Sequence, residues 1–309
     1  MLNLRKVAFA AAAVTTLFCS TLAARADDIG VSMPYFDDVW LTNLRNSIAS
    51  NAEKAGFGVQ AEDAQGDVSK QADQVNNLIA SGVKALIVSP VDTSATQPMT
   101  AAAQAAGIPL IYVARKPDQD LPQNVIYVGS DERTSGVMQA EEFAKQLNGK
   151  GRVVIFQGEL AVNTTTVRTG GIDTVLAKYP DIEVIQKPSA NYQRQQASDI
   201  MTNILSSGEH VDGVIANNDE MAIGAILATI AAGADPKSIV FAGIDGTGEA
   251  LHQMAEGNLD ITVFHNAKGQ GEKAVDAVTR MVKGEAVEPV YWVPFELVTK
   301  ANEAEYASR

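Results

Sequence analysis

Short apolar runs alternate with longer amphipathic stretches from residue 29 almost to the end of the chain. The short runs predict strands over Ile29 to Met33, Gly58 to Glu62, Ala85 to Ser89, Pro109 to Val113, Val125 to Val128, Arg152 to Phe156, Glu183 to Gln186, Gly213 to Ala216, Ile239 to Ala242 and Ile261 to Phe264. Several are nearly unbroken Val, Ile and Leu, the composition of strands covered on both faces. Helices are predicted between them. One spans Ser69 to Ser81, where Ala72, Val75, Leu78 and Ile79 recur at helical spacing before Gly82 ends it. Strands alternating with helices give the α/β class with parallel sheets.

The pattern also repeats. Gly82-Val83-Lys84-Ala85-Leu86-Ile87-Val88-Ser89 is followed by a helix, Gly107 and the strand at Pro109, and His210-Val211-Asp212-Gly213-Val214-Ile215-Ala216-Asn217 by a helix, Gly233 and the strand at Ile239. Any two strand-helix-strand units share some likeness, but two similar α/β halves in one chain would leave a cleft between them. No Pro- or Ser-rich tether separates the halves, so short crossovers are expected to join them.

The first residues follow a different rule. Arg5 and Lys6 precede an apolar run from Val7 to Leu22, then Ala24-Arg25-Ala26 and the acidic pair Asp27 and Asp28. This order predicts a secretory signal peptide over residues 1–26, cleaved after Ala26. A membrane anchor needs about 20 apolar residues and other flanks. Cys19 follows Phe18, where lipoprotein processing needs a small residue, so soluble release is expected.

Charge narrows the partners. The whole chain carries a formal charge of −13, and removing Arg5, Lys6 and Arg25 with the leader makes it −16. Such a surface repels phosphates, which makes nucleic acid and anionic lipid poor partners, and no nucleic-acid partner is expected. The single cysteine lies in the leader, so neither a disulfide nor a thiol mechanism is available after cleavage.

Motifs of catalysis are missing. The first strand runs from Ile29-Gly30-Val31 into Ser32-Met33-Pro34 without a phosphate-cradling glycine loop, and Gly246-Thr247-Gly248 reads as a turn before a helix at Glu249. His210, His252 and His265 have no metal-ligand neighbours at suitable spacing. No serine sits in a nucleophile elbow, and Glu141-Glu142 lies on a solvated helix face.

Ligands of open α/β sheets sit beyond the carboxyl ends of the strands, and those ends are rich in polar and aromatic residues here. They carry Asp38 and Trp40, Arg115, Arg168, Tyr192, Asn217-Asn218-Asp219, Asp245, and His265 with Asn266. A sugar or cyclitol suits this set: its C–H faces lie on aromatic planes such as Trp40 and Tyr192, and its hydroxyls meet carboxylate, guanidinium and amide. Charged hydrogen bonds contribute ~1.5–3 kcal/mol each, so four or five reach micromolar binding. Each residue also has a plainer reading. Trp40 and Tyr192 fit core or loop, Arg168 a helix ion pair, Asp245 a cap of the helix at Thr247, and His265 a satisfied polar group near a strand end. Asn217 and Asp219 are read as turn or cap residues, and Asn218 as the ligand contact.

The segments Ile29-Gly30-Val31-Ser32-Met33 through Asp37-Asp38, Gly82 to Ile87, Val214-Ile215-Ala216-Asn217-Asn218-Asp219-Glu220-Met221-Ala222 and Gly243-Ile244-Asp245 resemble the periplasmic ribose- and galactose-binding proteins of ABC transporters. The resemblance implies a type I periplasmic binding protein: two Rossmann-like lobes with parallel sheets, joined by a three-crossing hinge and closing on ligand. It places the lobes at 27–130 plus 266–294 and 131–265 plus 295–309, and implies a periplasmic monomer that docks on an inner-membrane permease, with a chemoreceptor as a further reader. It carries ligand-contact roles onto Asp38, Trp40, Arg115, Arg168, Tyr192, Asn218, Asp245 and His265. Two departures count against galactose and glucose: Ala114 stands where relatives hold an acid or amide, and Val162 with Thr164 replaces a His/Asp pair. Asn148-Gly149-Lys150-Gly151 is no counterpart of the calcium loop of galactose binders, so neither metal nor cofactor is expected. The inositol- and rhizopine-binding branch is the nearest subgroup, and a pentose is the other ligand class left open. An amino-cyclitol would suit Asp38, Asp245 and the small Ala114, while two arginines weigh against a cation. The competing readings are a repressor-type sensing core, which would carry a helix-turn-helix where the leader stands, and an exported carbohydrate-active enzyme with paired carboxylates.

Overall fold

The computed structural model describes residues 27–307, and the leader expected over 1–26 lies outside them. The strands are β1 (Asp28–Met33), β2 (Gly58–Asp63), β3 (Ala85–Val88), β4 (Leu110–Val113), β5 (Val125–Gly129), β6 (Lys150–Phe156), β7 (Asp181–Gln186), β8 (Gly213–Ala216), β9 (Val240–Ala242), β10 (Ile261–Phe264), β11 (Val290–Trp292) and β12 (Glu296–Thr299). The helices are α1 (Val39–Lys54), α2 (Val68–Ala80), α3 (Gln97–Ala106), α4 (Glu132–Gln146), α5 (Asn163–Leu176), α6 (Arg194–Ser206), α7 (Asp219–Ala231), α8 (Gly248–Glu256) and α9 (Ala267–Val282).

The strands form two six-stranded sheets, ordered β11-β5-β4-β3-β1-β2 and β12-β10-β9-β8-β6-β7. The two orders are the same once the halves are superposed, and β3 and β8, the echoing segments, occupy equivalent places. All pairings are parallel except β10 with β12, which is antiparallel. Side chains alternate between faces along each strand. In the first sheet Ile29, Val31 and Ile87 meet α1 and α9 on one face, while Leu86, Val88 and Tyr112 meet α2 and α3 on the other. In the second, Val153 and Ile155 lie under α4 and α5, and Val154 and Phe156 under α6, α7 and α8. Both faces are covered, which is why the strand sequences are unbroken hydrophobic runs.

β11 and β12 have no counterpart among the predicted strands. They are short, flanked by Pro289 and Pro294, and only partly buried at β11, so neither alternation nor a buried run marks them. They matter because the chain passes between the sheets three times: from β5 to α4, from β10 to α9, and from β11 to β12. The first and third crossings are tied by Val293 N–H donating to Gly129 O at 2.8 Å.

Helices begin where parallel strands end, so helix N-termini converge on the space between the sheets. Asp38 caps α1, Asn218 caps α7, Thr247 caps α8 and Asn266 caps α9, each accepting from a first-turn N–H. Asn218 is thus the cap that the sequence reading assigned to its neighbours Asn217 and Asp219. Asp219 instead lies fully buried, accepting from Thr262 Oγ1 at 2.7 Å and Thr247 N at 2.9 Å. Thr247, not Asp245, caps its helix.

Candidate functional site

A cavity opens between the sheets, lined by Asp38, Trp40, Leu41, Ala114, Arg115, Glu132, Thr164, Arg168, Tyr192, Asn218, Asp245 and His265. All eight residues singled out in the sequence lie on this one wall. They come from both sheets, as the contacts of a ligand held in a cleft between lobes must.

Arg168 anchors one side. Its Nε donates to Glu132 Oε2 at 2.6 Å and its Nη1 to the carbonyl of Asn217 at 2.6 Å. Nη2 lies 3.5 Å from His265 Nδ1. α4 and α5 come close enough for this because Gly136 faces Arg168, where any Cβ would stand 2.1 Å from the Arg168 carbonyl oxygen. The second oxygen of Glu132, Oε1, is buried without a partner. Desolvation raises the Glu132 carboxyl above its ordinary range, and Arg168 opposes that rise.

Arg115 is matched in the same way from across the cleft. Its Nη1 donates to the carbonyls of Pro90 and Val91 and to Glu159 Oε2 at 3.3 Å. Arg115 follows β4 in one sheet and Glu159 follows β6 in the other. Asn163 adds two further bridges, Nδ2 to Asp118 Oδ1 at 2.8 Å and N–H to Thr93 Oγ1 at 3.0 Å. The lobes are therefore closed on each other at the mouth of the cavity.

Asp38 and Asp245 have no such cation. Asp38 Oδ1 accepts from Leu41 N at 2.7 Å. The Asp245 carboxylate meets no hydrogen-bond donor among the described residues, with His265 Nδ1 at 3.7 Å. Burial pushes both carboxyls up, Asp245 well above the usual range despite Arg168 nearby. Burial, then Arg168, hold the His265 pKa well down, so the ring is neutral at physiological pH. Each arginine thus carries its own glutamate, and the remaining acidic side chains on the wall are Asp38 and Asp245.

The aromatic residues are placed differently from a sandwich. Trp40 stacks on His265 with ring centres 3.9 Å apart and planes 12° apart, and its Nε1 donates to the His265 carbonyl at 2.8 Å. One indole face is therefore taken by protein. The Tyr192 ring packs over Gly158, where a Cβ would lie 2.0 Å from it, and its hydroxyl reaches Thr165 Oγ1 at 2.8 Å. Burial lifts the Tyr192 hydroxyl pKa to about 12, so it stays a neutral donor and acceptor. Asn218 donates from Nδ2 to the Tyr192 carbonyl at 3.2 Å.

Three wall residues hold backbone conformations rare for side-chain-bearing residues: Ala114 at φ 64°, Tyr192 at φ 61° and Asp245 at φ 135°. Such positions cost of order 1–3 kcal/mol each and persist where the surroundings fix them, which is typical of binding sites.

Glu132 and Glu159 were missed in the sequence. Glu132 stands three residues past β5, so the rule that selected the other strand ends also reaches it. Glu159 stands three residues past β6, so the same rule reaches it, and only its pairing with Arg115 on the other sheet has no signal in the sequence.

The chain matches the model of the periplasmic binding protein domain over residues 29–286. It is 50% identical over 292 residues to a putative rhizopine-binding protein of Rhizobium meliloti, covering 93% of this chain and 94% of that protein. Among solved structures, an ABC transporter solute binding protein from Bacillus halodurans with bound myo-inositol superposes with a TM-score of 0.87 at 39% identity, covering 93% of this chain and 99% of that one. The Caulobacter myo-inositol binding protein bound to myo-inositol gives a TM-score of 0.87 at 28% identity, covering 92% and 97%. With two like lobes, a walled cleft between them and this match along nearly its whole length, the chain belongs to the periplasmic binding protein family.

Proposed function

We propose that this protein captures an inositol-type cyclitol, plain or amine-bearing, in the periplasm and delivers it to an inner-membrane ABC permease. The observation that carries this reading is the charge arrangement of the wall: both arginines are neutralised by their own glutamates, leaving Asp38 and Asp245 to accept from the ligand. A ring of hydroxyls satisfies carboxylates, a neutral histidine and guanidinium edges together, and an ammonium substituent is tolerated because Arg115 and Arg168 are already paired. The inositol-bound and rhizopine-named relatives support the same class. The protein acts as a binder and not as an enzyme, after a leader is removed near Ala26. Residues 27–130 with 266–294 and residues 131–265 with 295–309 move as the two lobes. Asp38, Trp40, Arg115, Arg168, Tyr192, Asn218, Asp245 and His265 contact the ligand, and Trp40 does so by one face or edge only.

A thermal-shift screen over myo-inositol, scyllo-inositol, amino-inositols, pentoses and hexoses tests the class. An inositol is expected to give the largest shift. A pentose or hexose giving the largest shift would move the assignment elsewhere in the family. Recovery of the ligand unchanged after incubation with pure protein tests the binder reading, and any turnover product contradicts it.

Closure makes two further predictions. Glu159→Gln removes the ionic bridge over the mouth while leaving the wall intact, and is expected to weaken affinity about tenfold, equivalent to ~1.4 kcal/mol. Titration calorimetry reads this directly. Ligand donation to Asp245 and Asp38 stabilises their charged forms, so binding lowers their raised pKa values and releases protons. Affinity is then expected to fall as the solution is acidified, by less than tenfold per pH unit for each proton released. Calorimetry in buffers of different ionisation enthalpy checks the sign.

A further inference from the structure

All three crossings between the lobes meet around one imidazole. His265 lies in the second crossing, with its carbonyl held by Trp40 Nε1. Its ring is wedged between Trp40 and Phe295 of the third crossing, ring centres 3.9 and 4.7 Å away. Its Nδ1 edge faces the cavity, near Arg168 and Asp245. Its Nε2 points the other way, to Gln270 Nε2 at 2.7 Å, and the same amide nitrogen lies 3.1 Å from Ser130 Oγ in the first crossing.

Gln270 is fully buried on the first turn of α9, and its Oε1 has no partner. A buried amide left half satisfied is a poor packing choice, since a leucine of similar volume would leave no orphaned polar atom. What the amide does is join two hinge strands through the ring that meets the ligand.

We propose that Gln270 is a positioning residue that couples the filled site to the hinge by tying His265 in the second crossing to Ser130 in the first. The ring cannot turn towards or away from a ligand without moving both crossings, and through Phe295 the third. This coupling rests on the cleft being the binding site.

The test uses spin labels on Asn77→Cys and Asn203→Cys, exposed positions on α2 and α6, one on each lobe. The only native cysteine is Cys19 in the leader, so no other thiol competes. Lobe-to-lobe distance distributions are compared without ligand for the native sequence, Gln270→Leu and Ser130→Ala. Gln270→Leu is expected to broaden the distribution at least twofold, and Ser130→Ala, which keeps the packing, to broaden it less but in the same direction. In titrations with myo-inositol, Gln270→Leu is expected to raise the dissociation rate about tenfold, and to add less than twofold in a His265→Ala background. A merely structural role would lower the melting temperature and leave the distances unchanged. Distributions that superpose on the native one for both variants overturn the coupling. If myo-inositol leaves the native distances and heats unchanged, the binding reading falls instead, while the ligand-free comparison still decides the hinge.

Discussion

Arg168→Ala is expected to abolish ligand capture and to lower folding stability by ~3–5 kcal/mol, the cost of breaking a buried ion pair from one side. The side chain is 4% exposed, and removing it strands Glu132, itself buried with one oxygen already unpartnered. It also frees the Asn217 carbonyl and takes away the guanidinium edge beside His265. Urea unfolding measures the stability, and titration calorimetry the binding. Because loss of fold alone would abolish binding, the informative companion is Arg168→Leu with Glu132→Leu. Removing both charges leaves no uncompensated ion, so the double variant is expected to regain most of the stability and none of the affinity. Restored binding in that variant would mean that Arg168 only holds the wall together.

Asp245→Asn is expected to move stability and affinity in opposite directions. Burial raises the Asp245 carboxyl well above its ordinary range, and its carboxylate has no hydrogen-bond donor among the described residues. A carboxyl whose folded pKa exceeds the unfolded value of about 3.9 destabilises the fold when ionised. The penalty is fully present above the folded pKa and disappears as pH falls towards the unfolded one. Asn removes it. Ligand-free Asp245→Asn should therefore melt higher than the native protein at pH 8, with the difference shrinking towards pH 4. Affinity should fall by ~10- to 150-fold, the loss of a charged hydrogen bond of ~1.5–3 kcal/mol. A variant that melts lower at pH 8 would show that Asp245 is a structural partner of Arg168 and not a vacant acceptor.

Much of this arrangement is legible in the sequence, and the residues show why. Unbroken runs such as Ala85-Leu86-Ile87-Val88 announce strands covered on both sides, and the repeat at Gly213-Val214-Ile215-Ala216 announces the second lobe. Polar residues at strand ends fall at the cleft because parallel sheets deliver every such end to the same side. What the sequence hides is pairing at long range. Arg115 and Glu159 are 44 positions apart and Arg168 and Glu132 are 36 apart, so only the folded chain shows that each guanidinium is already neutralised. That pairing reverses the weight of the two arginines: in the sequence they oppose a cationic ligand, and in the fold they leave two carboxylates in excess. Asn217-Asn218-Asp219 illustrates a subtler limit, since any of the three has the chemistry of a cap and only the backbone shows that Asn218 takes that place. β11 and β12 are too short, and too interrupted by proline, for periodicity to reveal.

The most direct test is one calorimetric titration of the protein with myo-inositol, run beside Arg168→Leu/Glu132→Leu. A single site, one ligand per chain, with a dissociation constant in the micromolar range or below and no heat in the double variant, is the predicted result. No heat from the native protein with any inositol, or equal heat from the double variant, would contradict capture of a cyclitol in this cleft.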